Sequence, residues 1–135
     1  MKLEEGFNQK EYVLFDENIK IHPDAIVGKG STIGNNTTIH YSILGLVKIG
    51  ENCIVGNYAL VEDEVEIGDN SKVWHYTHIR NGAKIGKNCI LGNYIYIDTG
   101  VIIGDDTKIQ NYVPVYNGVV LEDGVFFGPN SLTTN

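Results

Sequence analysis

Residues 85–97 read IGKNCILGNYIYI, and this stretch shows the rule that governs most of the chain. Ile85, Leu91 and Ile97 are six residues apart, and Cys89 and Ile95 each follow one of them after four residues. A helix places apolar residues about every 3.6 positions, and a simple strand places them every 2. A strict period of six instead fits short strands joined by corners, with one large and one small side chain pointing inward per strand.

The same two columns of residues extend in both directions from this stretch. Stepping by six from Ile49 to Phe127 gives fourteen apolar residues, and the residues four positions after each are all small or β-branched. Pairs such as Asn81-Gly82 fill positions between them, and Asn and Gly adopt the positive φ of a sharp corner at little cost. Three such hexapeptides complete one triangular coil, so residues one coil apart should stack roughly 4.8 Å apart. The pattern predicts an all-β, parallel β-helix of about six to seven coils.

The frame of the repeat changes before Ile49. Five earlier apolar residues are also six apart but are offset from the later frame by four positions: Phe15, Ile21, Val27, Ile33 and Ile39. We therefore expect a loop or bulge within residues 39–48 of a β-helix domain that spans residues 15–135. Residues 1–14 show no repeat and are predicted to form an N-terminal cap or arm, because an uncovered end would expose strand edges.

Composition and charge exclude several classes of function. The 135 residues carry a net charge of −7 and no Lys/Arg run, which argues against nucleic acid or an anionic membrane surface as a partner. No stretch approaches the roughly 20 apolar residues of a membrane-spanning helix, so membrane insertion is not expected. The first ten residues are polar and lack a signal core, and we expect a cytoplasmic protein.

The two cysteines test the coil register. Cys53 and Cys89 share the inward small position and are separated by the length of two coils. Their Cα atoms should lie roughly 9 to 10 Å apart, with Ser71 between them, whereas a disulfide requires about 7 Å or less. We expect two reduced, buried thiols that act as small core residues.

Two further columns concern the surface. Tyr58, Tyr76, Tyr94 and Tyr112 recur once per coil and should stack as a ladder at one corner. The outward position before each large inward residue should be polar, yet it is apolar at Ile54, Leu60, Ile90, Tyr96, Ile102, Pro114, Val120, Phe126 and Leu132. A row of outward apolar side chains indicates a buried interface, and a three-sided prism packs naturally as a cyclic homotrimer.

The hexapeptide of residues 73–78, VWHYTH, departs most from the repeat, with two histidines and the only tryptophan. His75 or His78 could accept a proton from an amine or hydroxyl nucleophile, or both could be surface residues with satisfied hydrogen bonds. A zinc site of three histidines would draw on His22, His40, His75 and His78, but the spacing of His75 and His78 does not match the γ-class carbonic anhydrases. We expect no metal.

Several motifs together resemble a known family. They are Val73 to Ile79, Ile85 to Asn93, KIQN at residues 108–111, Val115-Tyr116, and LEDGVFFGP at residues 121–129 with Thr134-Asn135. They resemble the hexapeptide-repeat sugar-nucleotide N-acyltransferases, including those acting on UDP-2-acetamido-3-amino-2,3-dideoxyglucuronate and dTDP-3-amino-hexoses. The close match covers about residues 67–135. The resemblance implies a left-handed winding, which the six-residue period alone does not fix.

The resemblance also implies an activity and a site. It implies transfer of an acetyl group from acetyl-CoA, as co-substrate, to the 3-amino group of a nucleotide-linked amino sugar, for cell-surface polysaccharides such as O-antigen. By resemblance Asn135 would orient the sugar amine. The other candidates are His75 and His78 for catalysis, and Asn93, Gln110, Asn111 and Tyr116 for lining the substrate cleft.

Two departures from the family keep alternatives open. The chain has about two extra coils before Trp74, and it stops at Asn135, where the family continues with further coils that help hold coenzyme A. A non-catalytic or truncated β-helical assembly module, or an acetyltransferase with another acceptor, therefore remains an alternative. Asn57, Asn93 and Asn111 share one corner column, so a purely structural role for Asn111 is also open.

Overall fold

In the computed structural model, residues 14–15, 18–21, 24–39 and 46–134 are described, and each of their strands is two residues long. In chain order the strands are β1 (Leu14–Phe15), β2 (Lys20–Ile21), β3 (Ile26–Val27), β4 (Thr32–Ile33), β5 (Thr38–Ile39), β6 (Lys48–Ile49), β7 (Ile54–Val55), β8 (Leu60–Val61), β9 (Glu66–Ile67), β10 (Lys72–Val73), β11 (His78–Ile79), β12 (Lys84–Ile85), β13 (Ile90–Leu91), β14 (Tyr96–Ile97), β15 (Ile102–Ile103), β16 (Lys108–Ile109), β17 (Pro114–Val115), β18 (Val120–Leu121) and β19 (Phe126–Phe127).

Every third strand joins the same parallel sheet, so the chain forms a prism with three faces. The first face is the sheet β1-β4-β7-β10-β13-β16-β19, the second is β2-β5-β8-β11-β14-β17, and the third is β3-β6-β9-β12-β15-β18. The strands of the described residues belong to six coils and to the start of a seventh. The expected all-β, left-handed parallel β-helix is confirmed.

The interior of the prism contains the two predicted columns. Large inward residues such as Val73, Ile79 and Leu91 have 0% exposure, and so do small ones such as Ser71 and Cys89. Burial of each large aliphatic side chain contributes about 1.5–3 kcal/mol to the stability of the fold. The inward hydroxyl of Ser71 donates to the carbonyl oxygen of Gly86 at 2.7 Å, so this polar group costs little in the core.

The pairing register shows where the repeat changes. Lys72 of β10 pairs with Ile90 of β13, whereas Thr32 of β4 pairs with Ile54 of β7, and the second pair is separated by four more residues of chain than the first. The four extra residues fall after β5 and before β6, and strands on both sides keep their place in the three sheets. Residues 40–45 and 1–13 lie outside the described residues, so the loop, the N-terminal arm and the domain bounds stay predictions.

The corner between the first and second faces, here called corner one, carries the tyrosine ladder. Tyr58, Tyr76, Tyr94 and Tyr112 have φ of 57° to 61°, and successive rings are 4.9 to 5.0 Å apart and nearly parallel. Positive φ is unfavourable for bulky residues and easy for Asn, which fills the equivalent position elsewhere, as at Asn70 and Asn88. Ring stacking offsets part of that strain.

The outward apolar residues do not form one row, which corrects the expectation of a row. Ile90 is on the first face, Tyr96 on the second, and Ile102 and Val120 are on the third. Residues six apart belong to successive faces, and a residue shares its face only with residues that lie whole coils away. On the first face lysines alternate with the apolar side chains, as Lys72 and Lys108 pair on either side of Ile90.

Both cysteines behave as the register predicted. Cys53 and Cys89 are free and fully buried, and Ser71 lies between them in the same column. Burial raises the pKa of both thiols. In the part of the chain that the structure describes, no helix is long and apolar enough to cross a membrane.

Candidate functional site

His75 belongs to a ladder of hydrogen bonds that runs along corner one. In this ladder a side chain accepts the backbone N–H of the residue one coil before it. Asn57 Oδ1 accepts from Asn35 at 2.8 Å, His75 Nδ1 from Asn57 at 2.7 Å, and Asn93 Oδ1 from His75 at 3.1 Å. Asn111 Oδ1 accepts the backbone N–H of Asn93 in the same way, so asparagine side chains form three of the four rungs and His75 forms the other one.

The ladder assigns the tautomer of His75. A backbone N–H can only donate, so Nδ1 must carry a lone pair, and in the neutral ring Nε2 carries the proton. Trp74 precedes His75 with the two ring centroids 5.9 Å apart, in an edge arrangement. The residues stacked on Trp74 in adjacent coils are Gly56 and Gly92, which have no side chain to cover the indole.

Three predicted substrate residues also lie at corner one. Asn93 donates its backbone N–H to Asn111 Oδ1 at 2.8 Å, so both residues are rungs of the ladder. Their side-chain oxygens are engaged within the corner, which leaves the amide NH₂ groups as their available donors. Gln110 and Asn111 are exposed.

His78 lies on the second face and has a different environment. It points outward from β11, and its Nε2 contacts Glu62 Oε2. A carboxylate can only accept, so Nε2 carries the proton and the neutral ring keeps its lone pair on Nδ1. The His78 side chain is 36% exposed and Glu62 is 21% exposed, so the imidazole is accessible while its carboxylate partner is largely covered.

Glu62 belongs to a chain of polar groups across three coils. Arg80 Nε lies 2.9 Å from Glu62 Oε2, and Arg80 Nη1 donates to the Tyr96 hydroxyl at 3.0 Å. That hydroxyl lies 3.2 Å from Asp98 Oδ1, and Asp98 also accepts the backbone N–H of Thr99 at 2.8 Å. Guanidinium and backbone N–H groups only donate and a carboxylate only accepts, so Arg80 donates to Tyr96, while the Tyr96 hydroxyl and the Thr99 N–H donate to Asp98.

The electrostatics of this group favour ionised carboxylates. Partial burial raises the pKa of Glu62, but hydrogen bonds from His78 and Arg80 and the charge of Arg80 outweigh it, and the net pKa is lowered. The N–H of Thr99 is the main cause of the lowered pKa of Asp98. The hydrogen bonds with Tyr96 and Glu62 raise the pKa of Arg80, so it stays charged.

The structure divides the predicted site residues into two groups. His75, Asn93, Gln110 and Asn111 lie at corner one. His78 lies on the second face, on the same sheet as Tyr96, whose ring centroid is 6.3 Å from that of Tyr116. Asn135 lies outside the described residues.

Sequence reasoning missed Glu62, Arg80, Tyr96 and Asp98. The available signal was the spacing of one coil, which stacks Glu62, Arg80 and Asp98 as alternating charges in one column. Within the described ranges no group of three His, Cys, Asp or Glu side chains is placed to hold a metal ion. His22 and His40, two candidates for such a group, lie outside those ranges.

Two curated relatives match part of the chain. The bifunctional protein GlmU of Clostridioides difficile is 34% identical over 74 residues, which are 51% of this chain and 16% of the relative. An acyl-(acyl-carrier-protein)–UDP-N-acetylglucosamine O-acyltransferase of Campylobacter lari is 39% identical over 59 residues, or 42% of this chain and 22% of the relative. The matched part of the chain therefore spans about a fifth of the length of these proteins.

Solved structures and a family comparison address the fold. LpxA, a UDP-N-acetylglucosamine acyltransferase from Bacteroides fragilis, superposes with a TM-score of 0.74 at 20% identity, over 91% of this chain and 58% of that one. AntD, an N-acyltransferase from Bacillus cereus crystallised with dTDP and coenzyme A, gives a TM-score of 0.69 at 14% identity, over 93% and 76%. These likenesses show the shared β-helical fold. Residues 9–123, most of the chain, match the family described as the GMPPB C-terminal domain, and the chain belongs to that family.

Proposed function

We propose that this chain is an acyltransferase that acts on nucleotide-linked sugars, with acetyl-CoA as donor and the 3-amino group of the sugar as acceptor. The observation that carries the proposal is the contact of Glu62 with His78 Nε2, which leaves Nδ1 of an accessible imidazole free to accept a proton. The fold shared with LpxA and AntD and the partial match to an O-acyltransferase support the reaction class.

The chemistry assigns a distinct step to His78. The neutral sugar amine attacks the thioester carbonyl, the C–N bond forms and the C–S bond breaks, and the sulfur of coenzyme A leaves. His78 Nδ1 takes the proton that the amine loses and can return it to the leaving sulfur. Glu62 stabilises the imidazolium that forms between these transfers, as the carboxylate does in other histidine–carboxylate pairs. His75 is the weaker candidate for this role, since Asn57 occupies its Nδ1.

A thiol-release assay tests the proposal. The protein is incubated with acetyl-CoA and a panel of UDP- and dTDP-linked 3-amino sugars, together with the matching 3-hydroxy sugars. Release of free coenzyme A with an amino sugar supports N-acyl transfer. Release only with a hydroxy sugar keeps the reaction class and replaces the acceptor, and no release with any acceptor contradicts the proposal.

Two glutamates provide a matched pair of variants. Glu62→Gln removes the charge beside His78 and should lower kcat about 10²-fold or more, within the range for general acid–base catalysis. Glu66→Gln is the control, since Glu66 contacts Lys84 on the third face, away from His78. Equal rates for the two variants would remove the Glu62 carboxylate from the mechanism.

A second candidate function is a non-catalytic β-helical module. The family that the chain matches is described as a C-terminal domain, which favours a unit that works within a larger protein. The same assay separates the two candidates, because a module without activity releases no thiol while keeping a cooperative unfolding transition.

We also keep the cyclic homotrimer as a proposal. Ile90→Asp on the first face and Ile102→Asp on the third face would place a charge in different interfaces, where an unpaired buried charge is strongly destabilising. Sedimentation of both variants should identify which face is covered. A monomeric parent protein at micromolar concentration would contradict the trimer.

A further inference from the structure

The coil segment of residues 72–77 differs from its neighbours at three outward or corner positions. Its residues Lys72, Trp74 and His75 stand where the coils on both sides have isoleucine, glycine and asparagine. The coils on both sides pack without these three residues, so the β-helix itself does not require the replacements. The replacement puts an ammonium group, an indole and a fixed N–H donor within four consecutive residues.

The three groups are presented on one side of the prism. Lys72 and Trp74 lie on either side of the inward residue Val73, and Lys72 is exposed while Trp74 and His75 are half-buried. Gly56 and Gly92 leave the indole without a side chain stacked above or below it. The Nδ1 of His75 is held by Asn57, so its Nε2–H is fixed as a donor that needs an acceptor.

The charge on the first face complements an anion. Its described outward row contains no acidic residue and includes Lys72 and Lys108, although the chain as a whole carries −7. On the third face, by contrast, Glu66 lies between Lys48 and Lys84 and contacts Lys84. The lysine beside Trp74 is therefore in the better position to meet a phosphate.

We propose that Lys72, Trp74 and His75 form a nucleotide-binding site, in which the indole stacks on the base while His75 Nε2–H and the Lys72 ammonium bind phosphate oxygens. An aromatic plane and two donors match a base and a phosphate, the parts shared by coenzyme A and a nucleotide-linked sugar. This inference deepens the proposed function and rests on it for the choice of these two ligands.

Trp74 is the only tryptophan, so it reports on its own site. Its fluorescence, excited where tyrosine does not absorb, is followed while coenzyme A, UDP or dTDP is added to the full chain, with pantetheine as the probe that lacks base and nucleotide phosphates. A saturable change with at least one nucleotide and none with pantetheine is expected. A response to coenzyme A alone assigns the acyl-donor site, a response to UDP or dTDP alone assigns the acceptor site, and both results support the proposal.

Variants test the two donors. His75→Asn keeps an acceptor for Asn57 but replaces the Nε2–H with the NH₂ of a shorter side chain, which ends nearer the backbone and cannot reach the same phosphate oxygen. It should raise Kd about tenfold or more, as expected for the loss of a hydrogen bond to a charged group. Lys72→Met should raise Kd several-fold and weaken its salt dependence. Lys84→Met, at the equivalent outward position on the third face, is the control and should bind as the parent does.

The outcomes separate this site from the acyl transfer reaction. Saturable binding that His75→Asn weakens, without thiol release from any acceptor, supports the site and contradicts the proposed reaction. Thiol release together with unchanged tryptophan fluorescence, or with equal Kd in His75→Asn and the parent, overturns the site and leaves the reaction standing. No fluorescence change with millimolar coenzyme A, UDP and dTDP also overturns it.

Discussion

Replacing His75 by alanine or by asparagine separates the stability contributed by its hydrogen bond with Asn57 from the chemistry of its imidazole ring. The backbone N–H of Asn57 donates to His75 Nδ1 at 2.7 Å, and alanine leaves this N–H without its acceptor. An unsatisfied buried donor costs about 1–3 kcal/mol. Asn57 is only partly buried, so we expect the lower end, about 1 kcal/mol. Asparagine restores the acceptor that this corner uses in its other coils, and His75→Asn should cost less than about 0.5 kcal/mol.

Thermal unfolding followed by circular dichroism measures this difference. For a chain of this length a loss of about 1 kcal/mol lowers Tm by about 3–4 °C, so His75→Ala should melt lower than the parent by that amount and His75→Asn by less than about 2 °C. Amide hydrogen exchange gives the site-specific readout, since the Asn57 N–H should lose protection in His75→Ala alone.

Two results would refute this reasoning. Equal Tm values for the alanine and asparagine variants would show that the acceptor at this rung contributes nothing to stability. Unchanged exchange of the Asn57 N–H in His75→Ala would show that the hydrogen bond to Nδ1 does not form in solution. In the second case the tautomer assigned to His75 would also fail.

Three further predictions follow from the same contacts. A Cβ on Gly56 would lie 2.7 Å from His75 Nδ1 and from the Trp74 carbonyl carbon, so Gly56→Ala should lower the free energy of unfolding in urea by about 1–3 kcal/mol. Gly128→Ala, in the same column, is the control and should be nearly neutral, because its Cβ would meet only Ser131 Oγ at 3.9 Å. The buried Cys53 and Cys89 should react slowly with a thiol reagent until denaturant is added, and fast reaction in the native protein would contradict their burial. Folding lowers the pKa values of Glu62 and Asp98. The stability that these carboxylates contribute is therefore present above their unfolded pKa values of 4.5 and 3.8, and it is lost as pH falls through their folded pKa values. Asp98→Asn should make the free energy of unfolding less dependent on pH in this acid range.

The interior could be predicted from the sequence because a strict period of six residues fits only short strands joined by corners, with one large and one small side chain inward per strand. Residues at the large inward positions, such as Leu91, are selected by volume and apolarity, and those at the small inward positions, such as Cys89 and Ser71, by their small volume. The offset of four positions before Ile49 likewise appears directly in the pairing of Thr32 with Ile54.

The outer surface was harder to predict, because it depends on neighbours in the adjacent coils rather than on the local repeat. Treating Ile90, Tyr96 and Ile102 as one row ignored that successive strands turn onto different faces. Glu62 and His78 contact each other from adjacent coils, but they are 16 residues apart in sequence. That separation is not a multiple of the six-residue repeat, so the repeat did not indicate the contact. The proton positions on the two histidines follow from partners that the sequence alone does not identify.

The longer path of chain between β4 and β7 also bears on how this architecture can be altered. The sheets continue through that coil with the same strand order, although the connection between β5 and β6 is four residues longer than in the other coils. The entropic cost of a longer connection grows only slowly with its length. A recognition peptide grafted into this connection would therefore be displayed at a defined height along the prism, and repeating the graft one coil later would move it by about 4.8 Å.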